Sequence, residues 1–265
     1  MRASCKGALT GILFLSIMKN LLSSLLLLAA ASTAPPLAAQ ALPEVADSVT
    51  AETDSAAMAT LRLTERDYVE VAEELGVEVA AIKAVVDIEA GRSHQGFYAP
   101  GLPLINFDLT MFRRFAGKRG INLAKFSSSH AVVFARPNTR KHGSQQRAQQ
   151  ARLDAARTID NNIAIEGTFW GMFQIGGFNW RKCGAADLDD FVRRMSLSER
   201  EQLELFATFL KSTGLDKHLK AKNWRAFARG YNGASYARRG YHTRLAAAYQ
   251  RHLKEEAKQN PGKSE

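Results

Sequence analysis

From residue 61 onward the apolar positions fall mostly at helical spacing. Thr64-Glu65-Arg66-Asp67 reads as a helix start, and Tyr68, Val71, Ala72 and Leu75 then form one stripe that Gly76 stops. A second helix is expected over residues 77–90, with Ile82, Val85 and Val86 on one face and Gly91 as its end. Residues 109–116 and 145–160 read as helical. Ser198-Glu199-Arg200-Glu201 has the form of a capping box, opening a helix that runs through Lys211 and closes at Gly214. Residues 223–230 and 239–254 complete the set. The β signal is confined to residues 104–107, after the Pro100-Gly101 turn, and residues 125–143 look like a basic loop. The expected fold is mainly α: one α-rich domain with at most a small β element.

The N-terminal region follows a different pattern. Met18-Lys19-Asn20 precedes the apolar run 21–31, and a Pro-containing stretch then ends in Ala39-Gln40-Ala41. A basic start, a short apolar core and an Ala-x-Ala site read as a secretory signal peptide over residues 1–41. The core is short against the ~20 residues that span a bilayer, although an uncleaved anchor is the alternative. A second apolar patch over residues 8–18 makes Met18 a candidate start. Residues 42–60 are acidic, poor in large apolar residues and without periodicity, as a disordered linker would be. The globular domain is expected over residues 61–254, followed by a charged tail, 255–265. Export implies a periplasmic or secreted protein.

Charge sharpens this division. The chain carries a formal +10. Setting aside the bases Arg2, Lys6 and Lys19 and the acids Glu44, Asp47, Glu52 and Asp54 leaves about +11 on residues 61–265. A basic domain behind an acidic spacer suits a polyanionic partner, and for an exported protein an anionic cell-wall surface fits better than nucleic acid, for which no reading motif is present. The bases between Arg136 and Arg157 are candidates for that contact, or simply a solvated face. Cys183 is the one cysteine after the signal and reads as a small buried hydrophobe. His94 and His242 have no partners at ligand spacing, so no metal or other cofactor is expected, and the protein is expected to be a monomer.

The sharpest chemical feature is Glu89, which continues the stripe of Ile82, Val85 and Val86 at the i+7 position. A carboxyl group on such a face is desolvated, which favours the protonated form that a general acid needs. A core-edge glutamate paired with an arginine such as Arg92 would sit in the same place. Asp87, roughly 200° away around the helix, should face elsewhere. Two further motifs follow in order: Trp170-Gly171-Met172-Phe173-Gln174-Ile175 and Ala228-Arg229-Gly230-Tyr231-Asn232-Gly233.

This ordered set resembles the lysozyme superfamily, in which goose-type lysozymes and lytic transglycosylases share the three-part layout. Residues 65–92, 103–112, 167–183 and 224–249 together are similar to the N-acetylmuramidase family of bacterial and phage endolysin-type enzymes. The resemblance implies a lysozyme-like fold and cleavage of the bond between N-acetylmuramic acid and N-acetylglucosamine in peptidoglycan glycan strands, with Glu89 as acid. Gly171 would permit close approach to a sugar, Gln174 would offer its amide, and Tyr231 would supply a ring to stack on a sugar face and a hydroxyl near Glu89. Asn232 would orient substrate or cap its own turn, while Trp170 and Phe173 read first as core. The sequence departs from the family at Phe107-Asp108-Leu109-Thr110, where Phe-Glu-x-His is usual. Asp108 is therefore either a second catalytic carboxylate or the N-cap of the next helix. A lytic transglycosylase and a non-catalytic wall-binding protein are the rival readings.

Overall fold

The computed structural model describes residues 57–90, 95–135 and 145–259. Eleven α-helices are described from residue 65 onward, along with five short strands. The first helices follow the pattern closely. Helix α1, Glu65–Leu75, starts at Thr64, whose hydroxyl accepts from the Asp67 N–H while the Asp67 carboxylate accepts from the Thr64 N–H at 2.7 Å. It ends at Gly76 in the left-handed conformation, φ 62°. Helix α2, Val79–Glu89, buries Ile82, Val85 and Val86, so the stripe that carries Glu89 does face the core.

A hairpin follows, β1 (Phe97–Ala99) against β2 (Leu102–Pro103), and then β3, Ile105–Phe107. Strand β3 pairs antiparallel with β4, Thr168–Trp170, which pairs with β5, Ile175–Gly176. An edge strand leaves backbone groups without a partner. Here three glutamines on one face of helix α5, Gln146–Arg157, stand in for a neighbouring strand. The Gln146 amide accepts from Ile105 N at 2.9 Å and donates to Ile105 O at 3.1 Å. Gln149 accepts from Phe107 N, and Gln150 donates to Pro103 O.

Helix α3, Leu109–Lys118, the four-residue α4, Ala131–Phe134, and α6, Asn161–Glu166, surround this small sheet. Helices α7, Leu188–Met195, and α8, Glu199–Thr213, carry much of the core: Phe191, Leu203, Phe206 and Leu210 are all fully buried. After the short α9, Asp216–Lys220, come α10, Trp224–Asn232, and α11, Tyr241–Gln259. Helix α11 lies along α2, where Ala80, Ala81 and Ala84 pack against Ala248 and Tyr249, and the small alanines let the two helices approach closely. Asp87 points at α11, as its helical angle requires, and pairs there with Arg251 and with His252 Nε2 at 2.6 Å.

Several boundaries differ from the sequence reading. Residues 57–60 are helical although they were assigned to the linker, and α11 runs through Gln259 into the expected tail. The loop expected over residues 125–143 holds α4 and begins within a 3-10 turn, Leu123–Phe126. The box at Ser198 is half made: its hydroxyl accepts from Glu201 N, but the Glu201 carboxylate turns to Arg194 Nε at 2.7 Å. Helices α6, α7 and α9 and strands β1, β2, β4 and β5 were not expected; all but α7 are too short to show a period, and α7 carries one in Leu188, Phe191 and Met195 behind its N-cap Asp187. The signal segment, residues 42–56, Gly91, Arg92, His94 and residues 260–265 lie outside the described residues.

Candidate active site

Glu89 is the last residue of α2, half-buried, with Oε1 shielded from solvent. Its carboxylate lies near enough to act on the hydroxyl of Tyr231. That hydroxyl is held well above the usual phenol range, chiefly by burial and then by the charges of Glu89 and Cys183. Tyr231 Oη donates to Phe173 O at 2.7 Å. One hydroxyl therefore joins the end of α10 to the β4–β5 turn beside the end of α2. The three motifs that are far apart in sequence meet here.

The turn itself, Gly171-Met172-Phe173-Gln174, is built on two left-handed residues. Gly171 has φ 68° and Gln174 φ 48°, and the second is uncommon for a residue with a side chain. Gln174 N donates to Gly171 O at 3.1 Å and Gln174 Nε2 to the same carbonyl at 2.9 Å, so the side chain closes its own turn. Strained backbone of this kind persists where its surroundings over-determine it. At Gly171 the close approach is inward and not toward a sugar: a Cβ there would sit 2.7 Å from Gln202 Oε1.

Tyr231 also departs from its expected role. Its ring is 2 % exposed, stacked on Phe227 at 5.9 Å and met edge-on by Phe206 at 5.5 Å, so no face is left for a sugar. Phe206 in turn stacks on Phe173 at 4.2 Å. Trp170 and Phe173 are core residues, and Trp170 Nε1 donates to Ile165 O. Asn232 ends α10 half-buried, and its amide nitrogen is buried with no hydrogen-bond acceptor among the described residues. Cys183 is fully buried, its thiol pushed up to about 12 by burial.

Asp108 follows the capping alternative. Its Oδ1 accepts from Thr110 N at 2.8 Å and Met111 N at 3.0 Å, at the start of α3. It also lies at the far end of β3. Asp108 N donates to Gly167 O, whereas the Gly171–Gln174 turn is reached from the other end, where Gly171 N donates to Leu104 O. Four residues of extended chain separate these ends by ~13 Å.

The sequence reading missed two buried polar residues on α8. Glu199 and Gln202 are 3 % and 0 % exposed. Both continue the stripe of Leu203, Phe206 and Leu210, the same signal that singled out Glu89.

The solved crystal structure of an endolysin from Burkholderia phage AP3 is similar to this chain. The two share 34% identity over 74% of this chain and 73% of the other, with a TM-score of 0.64. No curated protein matches. The fold is lysozyme-like and the class is that of a glycoside hydrolase. The family model for N-acetylmuramidase matches residues 78–253, well over half of the chain, and the chain belongs to that family; it is a peptidoglycan hydrolase.

Proposed function

We propose that the enzyme cleaves the glycosidic bond between N-acetylmuramic acid and N-acetylglucosamine, with Glu89 donating the proton to the leaving oxygen and water attacking the anomeric carbon. The observation that carries this reading is the Tyr231 hydroxyl, which ties the Gln174 turn to the helix end beside a partly desolvated carboxyl group. Protonation of the leaving group is the step such a group can supply. Asn232 Nδ2, a buried donor with no acceptor among the described residues, suits an acetamido or hydroxyl oxygen of the sugar. Gln174, whose Nε2 closes its own turn, would offer its amide oxygen to sugar hydroxyl or acetamido N–H groups. Asp108 acts as a helix cap in this reading. A lone acid also suits a lytic transglycosylase, in which the sugar's own hydroxyl attacks, and the commitment of Asp108 to α3 is what favours that second reading.

Export through residues 1–41 and action as a monomer on the anionic wall belong to the same proposal, supported by the signal pattern and the +11 of residues 61–265. The test is mass spectrometry of peptidoglycan digested by residues 42–265 and by its Glu89→Gln variant. Reducing-end muropeptides from the first and none from the second are expected. Products lighter by one water would replace hydrolysis with transglycosylation, and equal products from both would remove Glu89 from the mechanism.

A further inference from the structure

Glu199 and Gln202 lie one turn apart at the start of α8, and together they hold four separate pieces of backbone. Glu199 Oε2 accepts from Leu63 N at 3.0 Å and Oε1 from Gly96 N at 2.8 Å. Its own N–H donates to Leu61 O at 2.8 Å. Gln202 Oε1 accepts from Met172 N at 2.8 Å, while Nε2 donates to Gly96 O at 3.2 Å and to Met195 O at 2.9 Å. Gly96 is thus gripped at both its N–H and its C=O by side chains of one helix. Met172, inside the Gly171–Gln174 turn, is gripped by the same amide.

The packing shows how close this grip is. A Cβ on Gly96 would stand 2.5 Å from Gln202 Oε1 and 2.9 Å from Glu199 Cγ, and one on Gly171 would stand 2.7 Å from that same Oε1. Only glycine lets both backbones reach the amide. Buried polar groups are costly unless fully bonded, and a fully bonded network fixes a unique geometry. Apolar residues at these two positions would bury as well but could not fix Gly96 relative to the β4–β5 turn.

We propose that Glu199 and Gln202 are positioning residues for glycan cleavage: they lock the turn that carries Gln174, whose Phe173 O receives the Tyr231 hydroxyl beside Glu89, to the backbone at Leu63, Gly96 and Met195. Acid and turn are thereby held in one geometry before substrate arrives. This inference rests on the reading of Glu89 as the acid. Misplacement of a reacting group by an ångström costs on the order of 10²-fold in rate. Gln202→Met fills the same volume but removes all three bonds, so kcat on peptidoglycan should fall about 10- to 100-fold. KM should change little, at a temperature where circular dichroism shows the variant folded.

Q202E supplies the readout that a merely structural role would not move. Its carboxylate still accepts from Met172 N but faces the carbonyls of Gly96 and Met195. Protonation restores one donor, and burial favours the protonated form, so its kcat relative to wild type should fall as pH rises and recover on acidification. Wild-type kcat in folded Gln202→Met, a loss of kcat matched by an equal loss of folded fraction, or no pH-dependent recovery in Q202E would each overturn the proposal.

If these variants do not fold, hydrogen exchange in the unmodified protein decides. The Gly96 and Met172 amides should exchange as slowly as the buried amides of α8, and exchange at the rate of the exposed Gly101 turn would overturn the clamp. Exchange reads the clamp without any assay of activity, so an inactive wild type would sink the reading of Glu89 and leave this measurement interpretable.

Discussion

Tyr231→Phe removes a single oxygen from the centre of the site while leaving the ring among Phe206, Phe209 and Phe227. The stacked and edge-on contacts survive, and so does the apolar burial. What is lost is the 2.7 Å bond to Phe173 O, in a place sealed from water. A carbonyl left there without its donor costs about 1–3 kcal/mol, because no solvent can replace the hydroxyl. For a domain of this size each kcal/mol moves the melting temperature by about 2–4 °C. A central value of about 2 kcal/mol therefore lowers Tm by about 4–8 °C. Urea denaturation of wild type and variant, with the slope unchanged, measures the difference directly. The same deletion frees the β4–β5 turn from α10, so activity should fall by more than the folded fraction does. A stability change below about 0.3 kcal/mol would show that the bond contributes nothing and that the turn is held without it. That result would remove the observation on which the convergence of the three motifs rests.

Other outcomes follow from the same geometry. Asp108→Asn keeps an acceptor for Thr110 N and Met111 N and should retain both stability and activity, whereas Asp108→Ala should cost about 1 kcal/mol in a denaturation curve; loss of activity in Asp108→Asn would restore the second-carboxylate role. Gly171→Ala meets both a left-handed backbone and Gln202 Oε1 at 2.7 Å, so it should destabilise by at least about 1 kcal/mol, and a neutral effect would mean that the turn is looser than described. Burial works to raise Asp67, but the N–H and hydroxyl of Thr64 and the guanidinium of Arg200 together hold it below the ordinary carboxylate range. Its contribution to stability is then complete above its unfolded value of about 3.9 and is lost as pH falls through the lower folded value. The stability gap between wild type and Asp67→Asn should narrow below about pH 4, and a gap independent of pH would refute the pairing. With Cys5 replaced by Ser, Cys183 should react with Ellman's reagent at pH ~8 only after unfolding, since burial holds its thiol at about 12.

Most helices around the candidate site were legible in the sequence because each announces itself locally. Thr64 and Gly76 bracket α1, Gly214 closes α8, and Glu89 sits on an apolar stripe whose burial any 3.6-residue period would produce. The order of Glu89, the Gly171–Gln174 segment and the Tyr231–Gly233 segment was enough to reach the family. Long-range pairing decided the rest. Nothing near Tyr231 in sequence says that its ring is sealed by Phe206 from α8, or that its hydroxyl donates to Phe173 O. The glutamines of α5 read as ordinary helix formers until the edge of β3 is set beside them. Gly171 looked like room for a sugar, and only the fold shows that the room is taken by Gln202. Periodicity encodes which face of a helix is buried, but a polar group on that face is defined by partners that folding brings from 30 to more than 100 residues away. The sequence by itself therefore determined most of the longer helices, the place of Glu89 on a buried face and the class of enzyme, while the tertiary structure alone decided which partners the buried polar residues find.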